Sequence, residues 1–167
     1  MFYIVDVEAD GPAPGLFSMV SMGVVRVEPG LPNKFYAEFA PISEKFIPEA
    51  LRVGGFTREQ HLSLPDPEIG MHALAKFLEG DNRPVFVSDN PAFDWQWVNY
   101  YSHLFLGKNP FGHSARRIGD IYSGMRRNLR DTNGWKKWRL HPHTHNALDD
   151  AIGNANAMLE IMSMIQK

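Results

Sequence analysis

The chain has 167 residues, 44% of them hydrophobic and 22% charged, with 11 Phe, 5 Tyr and 4 Trp, which is the size and apolar mass of one domain and excludes a disordered or low-complexity chain. A formal net charge of −2 excludes a protein that grips nucleic acid over a uniformly basic surface, so any phosphate contact must come from local clustering. With 0 cysteines there are no disulfides, thiolate metal sites or cysteine nucleophile, and metal chemistry is left to carboxylates and histidines.

Residues Phe2 to Glu8 are β-rich and run into the turn-forming Asp10-Gly11-Pro12-Ala13-Pro14-Gly15, which predicts a buried strand delivering acids to a loop edge. Ser18 to Glu28, carrying Val20, Val24, Val25 and Val27, and Lys34 to Ala40, alternating Phe35, Ala37 and Phe39, predict two more strands in a meander. Residues 41–67 hold several prolines and no sustained period, so they read as an irregular connection with a short helical piece near Ile47 to Val53. Glu68 to Glu79 has helical spacing, and Pro84 to Ser88 reads as a short buried strand. Pro91 to Leu106 is an amphipathic helix with Asp94 in its first turn. A strand over Arg117 to Ile121 and a helix near Tyr122 to Leu129 follow, and Ala147 to Ile165 closes the chain as a helix with one apolar face. No repeat, linker or second domain interrupts residues 1–167, and the order β-β-β-α-β-α-β-α is that of a mixed α/β fold. No stretch reaches the ~20 apolar residues of a membrane span. The N-terminus lacks the basic start of a secretory signal, so the expected location is cytoplasmic, with no membrane partner.

Asp6-Val7-Glu8 places two carboxylates at i and i+2, on one face of a strand. Such a pair shares a proton, binds a hard cation, or lines the wet side of an edge strand; the apolar run before it argues against the edge. Asp94 has an ordinary explanation in the helix dipole, and Asp89 competes with it at the same end of a strand. His145 precedes Asp150 by five residues, about 140° on a helix, so it belongs to the loop before the helix rather than to one face with the acid. His141, His143 and His145 alternate without the ligand spacing that would complete a zinc site.

Taken together, Asp6-x-Glu8, Asn90-x-x-Phe93-Asp94 and His145-x-x-x-x-Asp150 resemble, in order and over nearly the whole chain, the three motifs of the DEDDh 3′→5′ exonucleases. That family includes ribonuclease T, oligoribonuclease and the proofreading exonuclease subunit. The resemblance implies a ribonuclease H-like fold, a five-stranded mixed sheet flanked by helices. It also implies hydrolysis of phosphodiester bonds from the 3′ end to release 5′-mononucleotides. Asp6, Glu8, Asp94 and Asp150 are then expected to hold two Mg²⁺ or Mn²⁺ ions, about 3.5–4 Å apart in a two-metal site. His145, with an ordinary pKa of about 6.5, is the expected general base. Two such ions would move the net charge from −2 to about +2.

One departure stands in the first motif, where Ala9-Asp10-Gly11 replaces the family's Thr or Ser before Gly; Asp10 has either a turn role or a functional one. The expected substrate contacts are Asn90, Leu16 and Phe17, with Phe17 preferred as the apolar wedge against the terminal base. To these the basic segment Met125 to Arg139 adds Arg126, Arg127 and Arg130, with Trp135 as a stacking face, a pattern suited to single-stranded nucleic acid. The expected partner is the 3′ end of single-stranded RNA or DNA, with RNA favoured by the breadth of the family. A homodimer is compatible with the aromatics around Trp95 and Tyr100 and with the methionines near the C-terminus. The competing readings are a nucleic-acid-binding module that keeps the fold without the activity, and an endonuclease of the same fold; circular single strands separate the latter.

Overall fold

The run Phe2–Ala9 becomes β1, the middle strand of a five-stranded sheet in the computed structural model, which describes residues 1–165. It pairs antiparallel with β2 (Met19–Arg26) and parallel with β4 (Val85–Ser88). The edges are β3 (Lys34–Glu38), antiparallel to β2, and β5 (Ala115–Arg117), parallel to β4, in the order β3-β2-β1-β4-β5. This is the five-stranded mixed sheet expected from the sequence.

A central strand is covered on both faces, which is why β1 reads as a continuous apolar run rather than an alternating one. Tyr3, Val5 and Val7 pack with Met22, Val24 and Phe39 beneath the helices α3 (Pro67–Phe77) and α4 (Pro91–Leu106). Ile4 faces the other way and packs with Val25 and Val87 against α5 (Ile118–Met125) and α6 (Ala147–Ile165). Pro91 opens α4 where its missing N–H costs nothing, and Gly107, at φ +70°, closes it in the left-handed cap conformation.

Three elements differ from the sequence reading. The irregular connection contains, besides α1 (Pro48–Val53), a helix α2 (Arg58–Leu62) set by a reciprocal capping box between Thr57 and Gln60. That Thr-x-x-Gln spacing was the available signal. The strand expected over Arg117 to Ile121 ends at Arg117, and α5 begins at Ile118, so the helix runs four residues earlier than expected and leaves Arg126 to Leu129 outside it. The reason is packing: Gly119 passes so close to the carbonyl of Thr132 that only a residue without Cβ fits there. Finally, Gly134–Trp138 forms a short 3₁₀ helix within the basic segment.

Candidate active site

The site assembles at the end of β1, where Asp6 and Glu8 emerge from one face and Gly23 lies opposite Asp6 in the antiparallel pair. A Cβ on Gly23 would collide with the Ala147 carbonyl and with Leu148. Its absence lets the start of α6 descend onto the sheet. That approach brings Asp150 to the strand: carboxylate oxygens of Asp6, Glu8 and Asp150 lie within 4.8 Å of one another. Asp94 comes from the other side of the sheet, in the first turn of α4, and its Oδ1 accepts the backbone N–H of Val7 at 3.2 Å. The structure thus brings the four expected carboxylates to one end of β1, and Asp6, Asp94 and Asp150 are all buried.

Burial and mutual repulsion make this cluster proton-hungry. Burial, then the charges of Asp94, Glu8 and Asp150, hold the Asp6 carboxyl well above the usual range, while Arg139 pulls it back. Burial pushes Glu8 up to about 7, with Asp150 adding to the effect and His143 opposing it. Asp94 also rises to about 7, chiefly by burial and against the stabilising Val7 amide. Asp150 differs. Burial acts upward on it too, yet it is held below the ordinary carboxylate range by His143 and by the amides of Thr144 and His145. Buried oxygens that repel one another, with no thiolate nearby, are a donor set for hard divalent cations.

The third motif turns sharply. Asn146 caps α6, its Oδ1 accepting the N–H groups of Leu148 and Asp149 at 3.1 Å, and His145 sits just before it at φ +60°. This conformation points the His145 N–H at Asp150 Oδ2, 2.8 Å away, and leaves the imidazole exposed. The ring that touches Asp150 is that of His143, whose Nδ1 lies 2.8 Å from Asp150 Oδ2 and whose pKa is raised by that bond. The two imidazoles lie 5.1 Å apart.

The remaining candidates divide. Asn90 is exposed at the N-terminus of α4, with no capping bond from its side chain. Leu16 is 55% exposed, and its carbonyl is held by the Ser43 hydroxyl. Phe17, the preferred wedge, instead lays its ring over Gly11 and packs against the core below α4. Arg126, Arg127 and Arg130 are exposed, as a backbone-tracking patch requires. Trp135 is a correction. It is fully buried, packed with Ile118, Tyr122 and α6, and its Nε1 donates to the Thr132 carbonyl, so it offers no face to a base.

Asp10 and its partners Arg58 and His61 form a group that no local pattern in the sequence connects. The Asp10 carboxylate is fully buried, accepts the Ser18 N–H at 2.6 Å, and lies 3.3 Å from Arg58 Nη1 and 3.5 Å from His61 Nδ1. Arg58 also donates to the Ser43 carbonyl and stacks on Phe46. Burial and the neighbouring Arg58 hold His61 down to about 4, so it is neutral beside that cation. Asp10 therefore ties the loop bearing Leu16 to the connection between β3 and α3. Asp89, the competing acid, is engaged by Arg139 at 2.9 Å and Lys136 at 3.3 Å, which takes it out of the carboxylate cluster.

A mixed sheet of this order, with acids at the end of its central strand and in the first turns of two helices, defines a ribonuclease H-like exonuclease fold. The nuclease domain of 3′hExo, described as a DEDDh family member bound to rAMP, superposes with a TM-score of 0.77 at 16% identity, over 97% of this chain and 91% of that one. Escherichia coli ExoI in its complex with single-stranded DNA gives 0.73 at 16% identity, over 99% of this chain and 40% of that one. In sequence, the chain is 36% identical over 183 residues to the 3′-5′ DNA exonuclease Cap18 of Escherichia coli, spanning 100% of this chain and 92% of that protein. No family model matches the sequence. The chain belongs to the DEDDh 3′→5′ exonuclease family and is a 3′→5′ exonuclease, a hydrolase of phosphodiester bonds, in a family that depends on divalent metal. Among the described residues, no helix is long and apolar enough to cross a membrane.

Proposed function

We propose that this enzyme trims the 3′ ends of single-stranded DNA, releasing 5′-mononucleotides, with RNA as the less favoured substrate. The observation that carries the reading is the convergence of Asp6, Glu8 and Asp150 oxygens within 4.8 Å, with Asp94 anchored to the residue between the first two. The preference for DNA follows the 36% identical relative, itself named a DNA exonuclease, and replaces the lean to RNA drawn from family breadth.

Asp6, Glu8, Asp94 and Asp150 would hold two Mg²⁺ or Mn²⁺ ions, whose charge would offset the burial and mutual repulsion that raise the proton affinities of Asp6, Glu8 and Asp94. When bound, such ions would make water a nucleophile near neutral pH and would offset the charge that builds on the phosphate and on the departing 3′-oxygen. His145 accepts the proton of the attacking water; its backbone bond to Asp150 fixes the turn that leaves the ring free to do so. The water oxygen bonds to phosphorus as the P–O3′ bond breaks, the phosphate stays on the released 5′-mononucleotide, and the departing 3′-oxygen takes a proton from solvent to leave the shortened strand with a new 3′-hydroxyl. Leu16, exposed and braced by Ser43, serves better than Phe17 as the apolar edge against the terminal base. Arg126, Arg127 and Arg130 supply the local positive charge that the chain as a whole lacks.

A second reading for the base has its own observation: His143 is the imidazole in contact with Asp150. Digestion of 3′-labelled DNA and RNA oligomers of several lengths, with and without Mg²⁺, tests the function. Metal-dependent loss of the 3′ label from DNA, with circular single strands untouched, is expected. Label loss without metal, or opening of circles, would overturn it.

A further inference from the structure

The segment before the third motif contains a part-buried arginine whose contacts reach α6 and the turn that leads into α4, the two helices that carry acids to the site. Arg139 is only 11% exposed at its side chain. Its guanidinium stacks 4.9 Å from the buried Trp135 ring, donates from Nε to Asn154 Oδ1 at 2.7 Å, and from Nη2 to Asp89 Oδ2 at 2.9 Å.

Both acceptors have informative addresses. Asn154 is fully buried on α6, one turn after Asp150 and on the same face. Asp89 lies between the last residue of β4 and the start of α4, whose first turn holds Asp94. The Asp89 carbonyl is itself held by Arg117 Nε at 3.1 Å, so this turn is tied to β5 as well.

We propose that Arg139 is a positioning residue for the metal site, a planar strut that joins the turn before α4 to α6 and so sets where Asp94 and Asp150 stand relative to each other. The inference rests on reading the four carboxylates as metal ligands. The fork of the guanidinium suits the task because two acceptors in different directions are satisfied by one rigid plane, and an ammonium on a flexible stem cannot do the same. A purely electrostatic role makes the opposite prediction. Arg139 is a cation near Asp6, and removing it would tighten the binding of a divalent ion.

The test is a calorimetric titration with Mn²⁺ of wild type, R139M, R139K and N154A, with Mn²⁺ electron paramagnetic resonance as a second readout. R139M keeps the stem on Trp135, and its Mn²⁺ affinity is expected to fall about tenfold, in the range seen when residues that orient ligands are removed. R139K is expected not to restore it, and the Mn²⁺ concentration needed for half-maximal cleavage should rise while the rate at saturating Mn²⁺ is largely kept. Unchanged or tighter Mn²⁺ binding by R139M, or full rescue by R139K, would overturn the strut. If R139M does not fold, N154A decides, since it removes one arm and leaves the Asp89 pair: weaker Mn²⁺ binding supports the proposal and wild-type affinity refutes it. Failure of the wild type to bind Mn²⁺ would instead overturn the exonuclease site on which the inference stands.

Discussion

Asp94 accepts a hydrogen bond from the backbone N–H of Val7, the residue between Asp6 and Glu8, across 87 positions of sequence. The bond locks the second motif to the first through the main chain, so the spacing of the acids does not depend on their own repulsion. Asp94→Asn keeps an oxygen for Val7 and removes only the charge. It should fold as the wild type does and bind Mn²⁺ about 10–100-fold more weakly, measured by calorimetry. Asp94→Ala should in addition lose stability, because a buried amide is left without its acceptor.

His143 and His145 are separated by one experiment. His145→Ala is expected to lower kcat by about 10²–10⁴, the usual contribution of a general base, with KM little changed. His143→Ala should leave kcat within a few-fold. The reverse pattern in single-turnover cleavage of a 3′-labelled strand would transfer the role to the ring that touches Asp150.

Stability should depend on pH through the acids. Glu8 and Asp94 titrate in the folded chain at about 7, above their ordinary values, and Asp6 is raised well above its own in the same direction. A carboxyl with a raised folded pKa binds its proton more tightly in the native state, so its contribution is present below the ordinary value near 4 and is lost as pH rises through about 7. In EDTA, Tm should therefore fall between pH 5 and pH 8. Bound Mg²⁺ replaces the protons, so the gain in Tm on adding it should be larger at pH 8 than at pH 5.5. An equal gain at both pH values would contradict this.

Gly23→Ala tests the descent of α6 onto the sheet. The new methyl meets the Ala147 carbonyl and Leu148, both backbone and unable to swing aside. About 1–3 kcal/mol of stability should be lost in urea unfolding, as for other overpacked sites. Mn²⁺ affinity should fall with it, because the helix that moves carries Asp150.

Reversal of charge at Arg126 and Arg127 addresses the exposed basic patch. Single-strand binding should weaken, and the slope of log K against log salt should flatten by about 0.7 for each phosphate that is no longer neutralised. An unchanged slope would mean that these side chains meet only solvent.

Much of this enzyme was legible in one dimension. The apolar run ending in Asp6-x-Glu8, the acid in the first turn of α4 and the His-x-x-x-x-Asp start of α6 are local patterns, set by strand alternation, helix capping and ligand chemistry within a few residues. Other features depend on the meeting of residues far apart. Asp89 and Asp94 look alike in the sequence, and only the approach of Lys136 and of Arg139, the latter 50 residues away, withdraws the first from the cluster. Trp135 among cations reads as a stacking face until α6 is seen to cover it. Asp10 reads as a turn residue until Arg58, 48 residues on, closes over it. Periodicity reports which face of an element is buried. It carries no information on which distant polar group will meet a given side chain, and that is decided when the layers pack and each buried charge must find its partner.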